Sequence, residues 1–148
     1  MKKVKIGVVG VKGIGRTHLD VIISSENVEL FAIADINEEA GKTAASSYGV
    51  EWYRNYEEML EQRDLDAVTI CTPHFLHCQM ALKAFAYNKH VLVEKPMAIS
   101  VGEADEMIRE SRRKGLKLSV VFQERTKPLN QEVKRLIDSG KIGKIYRA

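Results

Sequence analysis

Cysteine is nearly absent: Cys71 and Cys78 are the only two in 148 residues. Two thiols cannot build a disulfide framework, and their spacing matches no metal-binding pattern. They are expected to be reduced and to serve as small hydrophobes, and no metal site is expected. Long apolar runs are also missing. None approaches the ~20 residues that a membrane span needs, which argues against a membrane-embedded chain. The opening Met1-Lys2-Lys3-Val4-Lys5-Ile6 turns at once into a strand-like segment and has no signal-peptide core. Internal repeats and low-complexity tracts are absent too. These absences lead to the expectation of a cytoplasmic, soluble protein, and the length suffices for one buried core.

A net charge of +3 conceals an uneven distribution, because residues 109–148 hold 12 Lys and Arg against 4 Asp and Glu. A basic tail can mark nucleic-acid binding. Here the cations alternate with an apolar helical pattern, and no aromatic stacking platform accompanies them. A solvated helix face, or a face that meets another domain, is the better account, so no nucleic-acid partner is expected.

What the chain does contain is an alternation of strand and helix. Val4-Lys5-Ile6-Gly7-Val8-Val9 is a short β-branched run, followed by a helical pattern over 13–24 and a second apolar run over 28–34. Asn37 is placed to cap a helix over 38–48 that Gly49 stops. A short strand at 51–53 and a brief helix capped by Asn55 come next. A strand over 66–70 ends at Thr72-Pro73, a helix over 75–87 ends at Asn88, and a strand over 90–94 is halted by Pro96. Ser100 and Glu103 form a capping box for a helix running to Lys114, and Gly115 precedes a strand over 116–122. Connections of only a few residues predict a doubly wound parallel α/β sheet with helices on both faces.

After Phe122 the pattern changes. A polar stretch leads to an amphipathic helix over 129–139, and residues 142–146 are expected to open a strand whose partner lies in no part of this sequence. The chain therefore divides into a dinucleotide-binding domain at 1–122 and, at 123–148, a linker helix with the start of a second α/β domain. An apolar helix stripe and an unpaired strand make 125–148 the least settled part, and a homo-oligomer is expected.

Gly10-Val11-Lys12-Gly13-Ile14-Gly15 lies between the first strand and the first helix. In a dinucleotide-binding turn the first glycine permits the tight bend and the last permits close helix packing. Gly10 and Gly15 fill those places, with Ile14 opening the helix. The middle place, where backbone approaches a pyrophosphate, holds Lys12, and the extra glycine is displaced to Gly13. Asp35, 20 residues past Gly15, ends the second strand, where a carboxylate can accept from ribose hydroxyls. That carboxylate would repel a 2′-phosphate, and neither Ile36 nor Asn37 supplies a cation, so NAD is favoured over NADP. Lys12 could pair with the pyrophosphate, reach a 2′-phosphate, or simply be solvated.

The runs Gly10 to His18, Ala34-Asp35, Cys71-Thr72-Pro73 with His77, and Val91-Leu92-Val93-Glu94-Lys95-Pro96 resemble the glucose–fructose oxidoreductase / inositol dehydrogenase / rhizopine-catabolism family. Lys12 departs from that family's usual glycine. The resemblance implies a Rossmann domain of an NAD(P)-dependent dehydrogenase whose second domain carries much of a sugar, cyclitol or polyol site. It implies that Lys95 is the catalytic acid/base beside the nicotinamide, and that Pro96 holds the turn, a cis bond being one way to do so. Thr72 and Pro73 would line the nicotinamide half. Glu94 would pair with a neighbour or sit near the nicotinamide ribose, and His77 would be either a packed residue or a ligand. His18 reads as structural. The family's remaining catalytic residues, an aspartate and a histidine of the second domain, have no counterpart in this chain. Two other readings compete. A non-catalytic dinucleotide-binding sensor or repressor would have no need of Lys95, and a methyltransferase would leave Glu94-Lys95-Pro96 unexplained.

Overall fold

A computed structural model describes residues 3–147; Met1, Lys2 and Ala148, on which the readings of the chain's two ends partly rest, lie outside the described residues. Six strands run in chain order: β1 (Val4–Val9), β2 (Val28–Ala34), β3 (Glu51–Tyr53), β4 (Ala67–Ile70), β5 (His90–Val93) and β6 (Leu118–Val120). They form one sheet in the order β3-β2-β1-β4-β5-β6, with every neighbouring pair parallel. The helices are α1 (Ile14–Ser24), α2 (Glu38–Tyr48), α3 (Tyr56–Leu60), α4 (His77–Ala86), α5 (Val101–Arg113) and α6 (Pro128–Asp138).

The short-range signals act as expected. Asn37, Asn55 and Ser100 each accept a first-turn N–H with their side chains. Gly49, Gly115 and Asn88 take positive φ where α2, α5 and the turn after α4 end. The parallel strands are apolar on both sides because helices cover both faces. Val8 and Ile33 join Leu19, Ile22 and Ala45 on the side of α1 and α2. Val9, Val68, Ile70, Val91 and Val93 pack against Met59, Phe85 and Met107 on the side of α3, α4 and α5. The chain thus winds one way from β1 to β3 and the other way from β4 to β6. The direction reverses between β1 and β4, which opens a crevice beyond their carboxyl ends.

Several expected boundaries move. The helix expected from Phe75 is a 3-10 turn at His74–Leu76 followed by α4 from His77. Asp66 lies outside β4 because its carboxylate is turned to accept the Lys5 N–H at 2.9 Å. The strand expected over 116–122 shrinks to three residues at the sheet's edge. The strand expected to begin at Ile142 does not form: residues 142–146 carry turn and irregular backbone. A strand exists only through ladder bonds to a neighbour, and none of the described residues runs beside this segment. Leu129, Val133 and Ile137 of α6 stay exposed.

Candidate functional site

The Gly10–Gly15 turn fills the gap between β1 and α1. Gly10 has φ 83°, and a Cβ there would stand 2.9 Å from the Cys71 carbonyl oxygen, so β1 and β4 close on each other at this point. A Cβ on Gly13, at φ 53°, would meet nothing within 4 Å, because that residue faces open space above the turn. Gly13 is the N-cap of α1 and makes no side-chain cap, and no acid occupies the first turn. The helix therefore offers uncapped N–H groups and its positive dipole end to the crevice. Lys12 is exposed beside them.

Asp35 closes the other side of the turn. Its Oδ2 accepts the Val11 N–H at 2.9 Å and its Oδ1 accepts the Asn37 N–H at 2.8 Å. The Trp52 indole N–H donates to the Asp35 carbonyl, which holds the strand end from behind. Each carboxylate oxygen keeps a further lone pair for a ligand hydroxyl. Asp35, Gly10, Lys12, Thr72 and Pro73 share a cavity of about 370 Å³ with Ile36, which is 85% exposed. The same cavity receives Arg54, Tyr56, Phe75 and Met80, none of which the sequence marks as a site residue. Arg54 was missed because it lies far from Asp35 in the chain. Pairing of Ala34 with Tyr53 brings it alongside. Its guanidinium stands 3.6 Å from the Glu38 carboxylate.

Cys71 is half-buried where β4 ends, and burial pushes its thiol up to about 12. It should therefore remain a thiol at neutral pH and serve as part of the crevice floor. Alkylation by iodoacetamide at pH 8, followed by mass spectrometry, is expected to be at least about tenfold slower at Cys71 than at a free thiol. Equally fast labelling would mean that the crevice opens in solution.

The Glu94-Lys95-Pro96 turn follows β5, and the Lys95–Pro96 peptide is cis. Lys95 and Pro96 are exposed, whereas Glu94 is 6% exposed. The Glu94 Oε1 lies 2.8 Å from the His18 Nε2, and its Oε2 accepts the Lys95 N–H at 3.0 Å. Of the two roles left open for Glu94, pairing with a neighbour is thus the one the fold displays. His77 is wholly buried, its Nδ1 2.8 Å from the Pro96 carbonyl and its Nε2 2.9 Å from the Thr72 carbonyl. With both nitrogens facing backbone, it is a packed residue that ties the end of β4 to the Lys95 turn, which leaves it no free atom for a ligand. A second cavity, about 890 Å³, opens between α1 and the ends of β5 and β6, with His18, Glu94 and Phe122 in its wall.

The site therefore has a helix end suited to a phosphate, a carboxylate at the neighbouring strand end, and a lysine turn two strands across, all on one sheet edge. The family described as "Oxidoreductase family, NAD-binding Rossmann fold" matches residues 4–122. The chain belongs to the Gfo/Idh/MocA oxidoreductase family. Within it, the chain is 33% identical over 141 residues to the glucose-6-phosphate 3-dehydrogenase of Bacillus subtilis, covering 95% of this chain and 40% of that protein. It is 29% identical to the myo-inositol 2-dehydrogenase of Thermotoga maritima, over 95% of this chain and 42% of the relative. The WlbA dehydrogenase of Bordetella pertussis, solved with NADH and UDP-GlcNAcA, superposes with a TM-score of 0.93 at 33% identity, over 98% of this chain and 45% of that one. The scyllo-inositol dehydrogenase of Lactobacillus casei with NAD(H) and scyllo-inositol gives 0.91 at 29% identity, over 97% and 43%. The chain spans less than half the length of each of these family members. It is an NAD-binding Rossmann domain of the oxidoreductase type.

Proposed function

We propose that this chain is the cofactor domain of a dehydrogenase that oxidises a hydroxyl carbon of a sugar, cyclitol or related polyol with NAD. The observation that carries the reading is the shared sheet edge of the uncapped α1 N-terminus, Asp35 and the Lys95 turn. The residues fit the cofactor. Open space above Gly13 and the free amides of the α1 start suit a pyrophosphate, with Gly10, Lys12, Ile14 and Gly15 around it. Asp35 would accept from the adenosine ribose hydroxyls, with Ile36 covering the adenine side and Thr72 and Pro73 beyond it. When bound, NAD supplies the hydride acceptor. Lys95 would take the proton of the substrate hydroxyl through its Nζ, and give it back in the reverse direction. Pro96 holds the turn that presents it. The substrate walls lie outside this chain. We place the protein in the cytoplasm, working as a homo-oligomer.

NAD(H) is expected to bind more tightly than NADP(H), because the Asp35 carboxylate repels a 2′-phosphate. Titration calorimetry with both cofactors checks this. Equal or tighter NADP(H) binding would show that Lys12 and Arg54 outweigh the carboxylate. Asp35→Ala should weaken NAD by ~1–3 kcal/mol, the cost of a lost buried hydrogen-bond partner. The 148-residue chain alone is expected to show no steady-state turnover on a polyol panel, since it spans 40% to 45% of its relatives above. Turnover above a no-enzyme control would mean that these residues hold a complete catalytic set.

A further inference from the structure

The family reading gives His18 no task, yet the ring sits inside a partly buried hydrogen-bond chain that ends at the Lys95 backbone. β5 stops pairing at Val93, whose carbonyl accepts the Val121 N–H. From Lys95 onward the sheet no longer fixes the backbone. The Lys95 N–H turns instead to the side chain of the residue before it, Glu94 Oε2, at 3.0 Å. A carboxylate this deeply buried is tolerated only when both oxygens are satisfied. The second oxygen meets the His18 Nε2 at 2.8 Å, and the other ring nitrogen lies 3.4 Å from the Thr69 hydroxyl, which is fully buried on β4.

The Nε2–H form of the ring satisfies every member. The Thr69 hydroxyl donates to Nδ1, Nε2–H donates to Glu94 Oε1, and the Lys95 N–H donates to Oε2. All three bonds then point toward the carboxylate, an arrangement in which each bond polarises the next. The chain joins three elements, with His18 on α1, Thr69 on β4 and Glu94 after β5.

We propose that His18 is a positioning residue for Lys95: through Glu94 it holds the Lys95 turn in register with the helix that faces the cofactor phosphates. This rests on the reading of Lys95 as the residue that serves the reaction. His18→Leu removes the donor, whereas His18→Gln keeps an N–H that can reach Glu94.

Nuclear magnetic resonance of the 148-residue chain tests it. Long-range imidazole spectra should show the Nε2–H form of His18. Loss of one charge-assisted bond should speed solvent exchange of the Lys95 amide about tenfold in His18→Leu, with His18→Gln restoring most of the protection. If His18→Leu does not fold, Thr69→Val is read instead: it removes the partner that orients the ring while keeping the donor, and is expected to speed Lys95 exchange by a smaller factor of about threefold. An Nδ1–H ring, or Lys95 exchange that neither substitution alters, would overturn the proposal. A parallel NADH titration of the unsubstituted chain keeps the two ideas apart. Failure to bind NADH sinks the dehydrogenase reading whatever the amide does, and binding with an indifferent Lys95 amide sinks only the role of His18.

Discussion

Gly15→Ala is expected to destabilise the chain by about 3 kcal/mol or more and to abolish NADH binding, the upper end of what overpacking costs. A Cβ at this position would lie 1.8 Å from the Gly10 carbonyl oxygen and 2.8 Å from its carbon. Those atoms are backbone, so no rotamer change relieves the clash. Gly10 cannot retreat, because its N–H donates to the Ala34 carbonyl and the Cys71 backbone closes its other side. The first turn of α1 must therefore lift away from the glycine turn. That movement separates the uncapped amides from the crevice and loosens the core that α1 shares with α2, while the core under α4 stays in place. Urea denaturation and NADH fluorescence titration read the two effects. A stable Gly15→Ala chain that still binds NADH would mean that α1 has another way to sit on β1. Gly13→Ala is the contrasting control, since nothing crowds that site and only its positive φ resists a side chain.

His77→Leu is expected to cost about 1–3 kcal/mol, because the neutral ring has a single N–H and the buried carbonyl that receives it would be left without a donor. Leucine is close to histidine in size, so little of the effect should come from a cavity. The Pro96 and Thr72 carbonyls would lose the ring that spans them. The first sits in the Lys95 turn and the second at the end of β4, so the same change should loosen the presentation of Lys95. Chemical denaturation gives the stability, and the slope with denaturant should stay unchanged if the fold is retained. A loss below about 0.5 kcal/mol, the level of a surface substitution, would show that water replaces the ring without cost.

The positions of Asp35 and Lys95 on one edge were legible in the sequence because each follows a strand, and parallel strands end on the same side. The role of Asp35 was legible only in part. Its place at the strand end follows from spacing, but its grip on the Val11 and Asn37 amides does not, since that depends on how the glycine turn bends back. Arg54 shows the opposite case. In the sequence it follows a minor strand and carries no motif, and only the β2–β3 pairing brings it to the cavity of Asp35. Lys89 was equally silent: its buried ammonium donates to the Gln62 and Leu65 carbonyls and stitches the end of α3 to the approach to β4.

By itself the sequence determined the alternation of elements, the doubly wound class, the caps at Asn37, Asn55 and Ser100, the stops at Gly49, Asn88 and Gly115, and the glycine turn before α1. All of these are short-range effects, in which a side chain or a permitted φ acts on backbone a few residues away. Tertiary structure alone decided what depends on neighbours far along the chain. His18 and Glu94 are 76 residues apart and meet only because α1 lies over the strands that carry Thr69 and Glu94. His77 turned from a possible ligand into an internal tie because α4 begins under the Lys95 turn. Residues 142–146 have the composition of a strand and do not form one, because a strand's hydrogen bonds are made by its partner and not by itself.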